Sequence, residues 1–330
     1  EWIGKDLEIG LNAVFSFFQF FNTDFWIVNG LCKLFFFFVV VNFYSLLTNK
    51  PFAAIGFGVV TMCFMLISCP MRFMMAMAFL FIATKYFMKH KWILGFVFVV
   101  ISILFHVSML AIALIAASAF LLSKPFASIK THWLVLSYFG LYALMLMTNF
   151  NEIIFKKFLV FLLDSEDMAA YALSYGENFS TSVFLSVGRI REIASFLVIV
   201  CLRSTLLNKR YGYLVFFYAM LGLFISPIVS GMSTAFRLNL FFYSFVDVAL
   251  VIVLYESLLN SRQLIKLLKY SFIAIIFVSM LRTITADYTF IPYTNSIPYI
   301  ITEHKPLPER LNYNKNAYKD RTGHSYDSSN

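Results

Sequence analysis

The sequence has little charge and few residues that interrupt helices. Of its 330 residues, 13% are charged and 61% are hydrophobic, and only 8 are proline and 13 glycine. A typical soluble domain has about 25% charged residues, so this composition excludes an ordinary water-soluble globule. Several runs are apolar on every helix face, which is stable only in lipid or deep inside protein, for example 34–41, 94–105 and 110–122. The chain is therefore predicted to be an integral membrane protein.

The motifs of most soluble enzymes are also missing. The sequence has no glycine-rich phosphate loop, no zinc-ligand spacing, no Ser-His-Asp signature and no nucleic-acid-binding motif. Its 4 cysteines show no paired metal spacing and are expected to be packing residues. We expect no metal, no cofactor and no nucleic-acid partner. The chain begins at Glu1 without an initiator Met or an apolar leader, so we expect an upstream segment.

The apolar stretches predict an all-α protein. Only helices and closed barrels satisfy their backbone in lipid, and long unbroken runs favour helices. Nine stretches occur, at 26–47, 52–68, 71–88, 92–122, 133–150, 192–207, 211–229, 237–258 and 270–286. As one helix, the stretch 92–122 would be ~46 Å long, whereas the hydrocarbon core is about 30 Å thick. We therefore expect a hairpin that turns near His106, and a helical bundle of about ten transmembrane helices in total.

The short connections determine the orientation. With a hairpin near His106, most basic residues of the connections lie on one side, and most acidic residues lie on the other. A single crossing would remove this bias, so the hairpin is preferred and the basic side is assigned to the cytoplasm. The predicted organisation is an external amphipathic segment at 1–24, transmembrane helices at 25–150, a large external loop at 151–191, transmembrane helices at 192–286, and an external, partly disordered tail at 287–330.

Five arginines lie at or near the external ends of apolar stretches, against the positive-inside trend. They are Arg72, Arg189, Arg191, Arg237 and Arg282. A guanidinium binds phosphate through two parallel hydrogen bonds and stays charged, so the set suits a lipid pyrophosphate at headgroup depth. For any single arginine the alternative is an interfacial side chain paired with a nearby acid, such as Arg191 or Arg189 with the neighbouring Glu192.

His106 is the only histidine within an apolar stretch. A neutral imidazole can accept a proton from a sugar hydroxyl, as glycosyl transfer to an alcohol requires. The alternative is a structural histidine that caps a turn. Glu8 is a candidate for a second base or for recognition of sugar hydroxyls. Asp247 lies in the middle of a stretch and is expected to pair with an Arg or polar group of another helix.

Several short motifs are spread along nearly the whole chain. They are Glu8-Ile9-Gly10, Arg72 ahead of Met74-Met75-Ala76-Met77-Ala78, Phe105-His106-Val107-Ser108, Arg237-Leu238 followed by Phe241-Phe242-Tyr243, and Ile291-Pro292-Tyr293. Together they resemble the EpsG family, which groups with the Wzy-type polymerases of O-antigen and exopolysaccharide. Family members usually have Gln after the arginine matched by Arg72, where this chain has Phe73.

The resemblance implies a fold related to the lipid-dependent, GT-C-like glycosyltransferases. It also implies a polymerase that transfers a growing glycan from undecaprenyl pyrophosphate to another lipid-linked repeat unit, at the external face of the bacterial inner membrane. By this resemblance Arg72 and Arg237 would hold pyrophosphate, and His106 or Glu8 would assist the acceptor hydroxyl. Expected partners are undecaprenyl-pyrophosphate-linked oligosaccharides and membrane lipids, with a chain-length regulator and a flippase as candidates.

Two other functions stay open at this point. A flippase for lipid-linked oligosaccharides would also need cations for pyrophosphate, but it would carry charges through the full membrane depth rather than on one side. A membrane acyltransferase that modifies the glycan could use His106 as its base. It would need a route to a cytoplasmic acyl donor, and the cytoplasmic connections are short and basic.

Overall fold

The described part of the protein is all-α. The computed structural model describes residues 8–23, 25–59, 70–147, 187–229, 233–256, 263–286 and 316. Its helices are α1 (Ile9–Phe20), α2 (Phe25–Leu47), α3 (Pro51–Phe57), α4 (Met71–Met88), α5 (Trp92–Phe105), α6 (Met109–Ala127), α7 (Thr131–Met147), α8 (Val187–Cys201), α9 (Arg203–Leu207), α10 (Gly212–Val229), α11 (Ser233–Tyr255) and α12 (Gln263–Ala286). The chain divides into two compact units, Glu1–Phe272 and Ile273–Asn330, and α1 to α11 lie in the first. No strand occurs among the described residues, as the sequence predicts.

Several helices are long and apolar enough to cross a membrane. Among the described residues there are 4, Ile27–Leu47, Met71–Met88, Met109–Ala127 and Gly212–Val229. Shorter apolar helices are Ile9–Phe20, Trp92–Phe105 and Asn239–Tyr255. The fold is thus that of a helical membrane protein. Parts of the predicted stretches 52–68 and 133–150, most of the predicted loop and nearly all of the predicted tail lie outside the described residues, so the number of crossings stays a prediction.

The apolar stretch 92–122 consists of two helices with a break at His106. α5 ends at Phe105 and α6 begins at Met109, and the His106 N–H donates to the Ser102 carbonyl at 3.1 Å. The Met109 N–H in turn donates to the His106 carbonyl at 3.0 Å. This tight reversal places His106 at the end of two helices.

Polar contacts show how the helices run. The Ser102 hydroxyl near the end of α5 donates to the Ala76 carbonyl near the start of α4 at 2.6 Å, so these helices are antiparallel. Lys85 near the end of α4 donates to Asn42 near the end of α2, so these two helices are parallel. The starts of α2 and α4 and the end of α5 therefore lie at one end of the bundle, here called the Glu8 end.

Aromatic rings fill the centre of the bundle. Phe43 of α2 lies 5.1 Å from Phe81 of α4 and 5.6 Å from Phe245 of α11, measured between ring centroids. Tyr218 of α10 lies 4.5 Å from Phe245, and its hydroxyl donates to the Ala116 carbonyl of α6 at 2.7 Å. Lipid is as apolar as these side chains, so close packing and buried hydrogen bonds, rather than the hydrophobic effect, hold the helices together.

Glu256 ties three segments together at the opposite end of the bundle, here called the Glu256 end. Its Oε1 accepts hydrogen bonds from the Thr48 hydroxyl and from the Asn49 N–H at 2.9 Å. Its Oε2 accepts one from Lys209 Nζ at 2.6 Å. Burial alone would raise the pKa of Glu256, but the hydrogen bonds from Lys209, Thr48 and the Asn49 amide outweigh it and lower the pKa below its ordinary value.

Replacing Glu256 with Gln should destabilise the protein in a pH-dependent way. Because the folded pKa is lowered, the carboxylate contributes its full stability above the ordinary Glu pKa of about 4.3 and loses it as pH falls through the folded pKa. We expect Glu256→Gln to melt a few degrees lower than wild type in detergent at pH 7. The difference should shrink as the pH falls below about 4. An equal difference at both pH values would contradict the assignment, and Lys130→Gln, at an exposed position, is the control.

Gly222 should not tolerate a side chain. A Cβ at this position would lie 2.9 Å from the carbonyl carbon of Phe242 and 3.0 Å from the Tyr243 nitrogen, both backbone atoms of α11. Gly222→Ala should therefore separate α10 from α11 and lower the melting temperature. Gly140→Ala is the matched control, since nothing lies within 4 Å of a Cβ there. Equal melting temperatures for the two variants would contradict the close contact.

Candidate active site

Three of the predicted site residues, from distant parts of the chain, meet at the Glu8 end. His106 Nδ1 lies 2.7 Å from Glu8 Oε1, and Arg72 Nη1 lies 3.5 Å from Glu8 Oε2. The Glu8 carboxylate thus lies between an imidazole and a guanidinium, with one oxygen toward each. We refer to Glu8, Arg72 and His106 as the Glu8 cluster.

Helix ends position all three side chains. Glu8 directly precedes α1, Arg72 is in the first turn of α4, and His106 directly follows α5. Gly10 allows α1 to approach the turn, because a Cβ there would lie 2.8 Å from Cδ2 of Phe105. A residue with a side chain at this position would push Glu8 away from His106.

The Glu8 cluster is open enough to receive a ligand. The exposed fraction of the side chain is 19% for Glu8, 24% for His106 and 41% for Arg72. Phe73, which replaces the Gln usual in the resembling family, packs edge-on against the His106 ring at a centroid distance of 5.7 Å. The cluster is partly desolvated, which strengthens its electrostatic interactions, while Arg72 can still reach an anion.

The hydrogen bond to Glu8 determines which nitrogen of His106 can act as a base. An ionised carboxylate only accepts hydrogen bonds, so Nδ1 carries the proton and donates it to Glu8. In neutral His106 the lone pair then lies on Nε2. Glu8 is the only side-chain hydrogen-bond partner of His106 among the described residues. Among the described residues no side chain hydrogen-bonds to Nε2, so this nitrogen is the candidate base.

Arg189 is held inside the protein by its neighbours. It pairs with Glu192, and its Nη1 donates to the Ser226 hydroxyl at 2.9 Å. Ser226 Oγ in turn donates to Glu192 Oε1 at 2.6 Å, and the Tyr142 hydroxyl donates to Glu192 Oε2 at 3.3 Å. Arg189 and Glu192 are 6% and 7% exposed. This geometry favours pairing with an acid over pyrophosphate binding for Arg189.

Arg191 differs from Arg189 in its contacts. Its Nη2 donates to the Tyr243 hydroxyl at 3.2 Å, and its guanidinium lies 5.4 Å from the centre of the Tyr243 ring. Its Nη1 is buried and has no hydrogen-bond partner among the described residues. Arg191 thus keeps a donor for a further group, and the buried Asp247 carboxylate interacts electrostatically with its guanidinium, so its predicted anion-binding role stays a prediction.

Asp247, expected to pair with an Arg or a polar group, keeps one oxygen without a hydrogen bond. Its Oδ2 is buried and has no partner among the described residues. A Cβ at Gly58 would lie 2.4 Å from this oxygen, so the carboxylate packs directly against the end of α3.

α8 begins at Val187, inside the predicted external loop 151–191. The hydropathy pattern assigns this polar stretch to the loop. Because buried partners hydrogen-bond to Arg189 and Arg191, the helix extends into it. Arg237 and Arg282 lie in α11 and α12, but their side chains are outside the described residues, so their predicted roles stay predictions.

The sequence did not reveal the side chains that give Arg189 and Arg191 different hydrogen-bond partners. Tyr142 and Ser226 lie in apolar helices and carry no local signal of a site, and Tyr243 belongs to the motif Phe241-Phe242-Tyr243, which does not reveal its contact with Arg191. The sequence indicated Glu8 as a candidate but did not reveal that Glu8 orients His106. Among the described residues, no group of three or more His, Cys, Asp or Glu side chains could hold a metal ion.

Comparison with known proteins identifies the family. No curated protein and no solved structure matches the chain. The model of the EpsG family matches residues 2–295, a range that includes the whole Glu8 cluster. This confirms the resemblance inferred from the sequence motifs. The chain therefore belongs to the EpsG family, a family of Wzy-like polymerases.

Proposed function

We propose that the protein is a polysaccharide polymerase that joins undecaprenyl-pyrophosphate-linked oligosaccharide repeat units, in the synthesis of O-antigen, capsule or exopolysaccharide. Membership of the EpsG family supports a polymerase role in exopolysaccharide synthesis. The observation that carries the proposal is the Glu8 cluster, in which a hydrogen-bonded imidazole and a half-exposed arginine meet at one carboxylate. A base and an anion-binding group at one site are what this transfer requires.

In the proposed reaction the acceptor is the hydroxyl of the terminal sugar of one lipid-linked unit. Its oxygen forms a bond to the anomeric carbon of the donor glycan. The bond from that carbon to the pyrophosphate oxygen breaks, and its electron pair leaves with undecaprenyl pyrophosphate. His106 Nε2 takes the hydroxyl proton, and Arg72 stabilises the charge that develops on the leaving group.

Glu8 acts through His106 in this proposal. Its carboxylate holds Nδ1–H, keeps the imidazole in the tautomer with Nε2 free, and stabilises the imidazolium that forms. This pair replaces the two separate bases that the sequence left as alternatives. Glu8 is therefore a positioning residue, and His106 is the catalytic residue.

We further propose about ten transmembrane helices in a GT-C-like arrangement, with the active site at the external face of the bacterial inner membrane. Lys85, Lys89 and Lys209 support this orientation, since they lie toward the Glu256 end, whereas the Glu8 cluster lies at the other end. Basic connections favour the cytoplasmic side. Membrane lipids and lipid-linked oligosaccharides are the proposed partners, and a chain-length regulator and a flippase are candidate partners.

Loss of His106 should abolish most polymer formation while leaving the protein folded. We expect His106→Ala to slow transfer of purified lipid-linked units by about 10²- to 10⁴-fold. Glu8→Gln should slow it by a smaller factor. If Glu8 acts through His106, the double variant should be no slower than His106→Ala alone.

Glycan ladders from cells lacking the protein and complemented with each variant provide a second measurement. Single repeat units that reach the outside without a ladder would support the polymerase. Units that accumulate on the cytoplasmic face would indicate a flippase instead. If the rate reduction of the double variant equals the product of the two single reductions, Glu8 and His106 act independently. That result would contradict the coupling of Glu8 to His106.

Arg72 and Arg189 should respond to replacement in opposite ways. Arg72→Ala should weaken donor binding and slow transfer with little change in melting temperature, because its side chain is 41% exposed. Arg189→Ala should destabilise the fold by about 3–5 kcal/mol, because it leaves the buried Glu192 carboxylate without its charge partner. Thermal melting in detergent and transfer rates measure the two effects.

The double variant Arg189→Ala with Glu192→Gln is the control for the buried pair. Removing the carboxylate charge should restore part of the stability that Arg189→Ala loses. No recovery in the double variant would contradict the pairing. An Arg72→Ala variant with unchanged transfer would remove Arg72 from the proposed site.

A further inference from the structure

A polar cavity lies at the Glu256 end, far along the bundle from the Glu8 cluster. Its volume is about 170 Å³. The end of α2, the segment ahead of α10 and the end of α11 form its walls, and its polar lining includes Thr48, Asn49, Lys209, Arg210, Tyr211 and Glu256. Nothing in the proposed polymerase reaction uses this cavity.

The acid in the cavity is already occupied. Both oxygens of Glu256 accept hydrogen bonds, Oε2 from Lys209 and Oε1 from Thr48 and the Asn49 N–H. Arg210 is exposed and makes no salt bridge among the described residues. The two cations of the lining exceed its one acid, so the cavity keeps a positive charge.

Further cations surround the same end. Lys50 Nζ lies 5.4 Å and Lys269 Nζ 3.8 Å from the centre of the Tyr255 ring. Two ammonium groups that approach one ring repel each other. Glu256 follows Tyr255 in the chain, but its carboxylate is already paired with Lys209. The positive field of this end therefore favours a bound anion.

Tyr211, one residue of the cavity lining, has a hydroxyl without an acceptor among the described residues. The oxygen of this hydroxyl is buried. The guanidinium of Arg210 lies 5.2 Å from the centre of the Tyr211 ring. A buried hydroxyl without a partner is costly, so an acceptor that enters the cavity would be stabilised.

We propose that this cavity binds a phosphate group through the Arg210 guanidinium and the Tyr211 hydroxyl, carried either by an anionic lipid headgroup or by free phosphate. Phosphate supplies several strong acceptor oxygens, and arginine binds it bidentately. Lys209 balances Glu256 and prevents that carboxylate from repelling the anion. The inference does not depend on the polymerase reaction, since it concerns residues at the other end of the bundle.

The test measures binding by purified full-length protein with two probes. Isothermal titration in neutral detergent uses inorganic phosphate, and native mass spectrometry of protein from nanodiscs compares retained phosphatidylglycerol with phosphatidylcholine. We expect Arg210→Gln and Tyr211→Phe each to weaken binding by about fivefold. Lys130→Gln, which removes an exposed charge outside the cavity, should leave binding unchanged.

The two probes identify the source of the phosphate. Retention of phosphatidylglycerol without titration of inorganic phosphate would assign the site to lipid, and the reverse result would assign it to free phosphate. Binding of neither probe by wild type would overturn the proposal. An equal loss in Lys130→Gln and Arg210→Gln would also overturn it, because the attraction would then come from surface charge alone. Arg210→Gln changes an exposed side chain and Tyr211→Phe removes one atom, so both variants should melt within a few degrees of wild type, and a melting curve checks that they are folded.

Discussion

Among the described residues, the carboxylates of Glu8, Glu192 and Glu256 have hydrogen-bonded partners, and each of them joins segments that are distant in the chain. Glu8 connects the start of α1 with α4 and with the turn between α5 and α6. Glu192 connects α8 with α7 and α10, and Glu256 connects the end of α11 with the end of α2 and with Lys209. Apolar packing against lipid has little preference for one arrangement over another, so these polar contacts contribute to specifying the arrangement.

Exposure separates the carboxylates that serve structure from the one suited to chemistry. Glu192 and its partner Arg189 are buried, and hydrogen bonds from Ser226 and Tyr142 hold Glu192 in place beside Arg189. Glu8 is less enclosed, and it contacts an arginine that is 41% exposed and a histidine whose Nε2 has no side-chain partner among the described residues. A paired carboxylate is thus a structural contact in one place and part of a candidate active site in another.

The local hydrophobic pattern of the sequence predicted much of the fold. The apolar composition and the length of the stretch 92–122 led to a helical membrane protein with a break near His106, because helix rise and bilayer thickness leave few alternatives. The motifs around Glu8, Arg72 and His106 led to the EpsG family. The start of α8 was less predictable, since the partners that hold its first turn lie on other helices.

The sequence by itself determined the class of protein, the helical segments and the family, because these depend on composition and on neighbours along the chain. Only the tertiary structure decided which polar residues meet. Glu8 is 64 residues from Arg72 and 98 from His106, and no local period links them. Arg189 and Arg191 are alike in sequence, yet two positions on a helix point to different sides, so one meets Glu192 and Ser226 while the other meets Tyr243. Contacts between distant helices, rather than residue type, separate an ion pair from an anion-binding candidate.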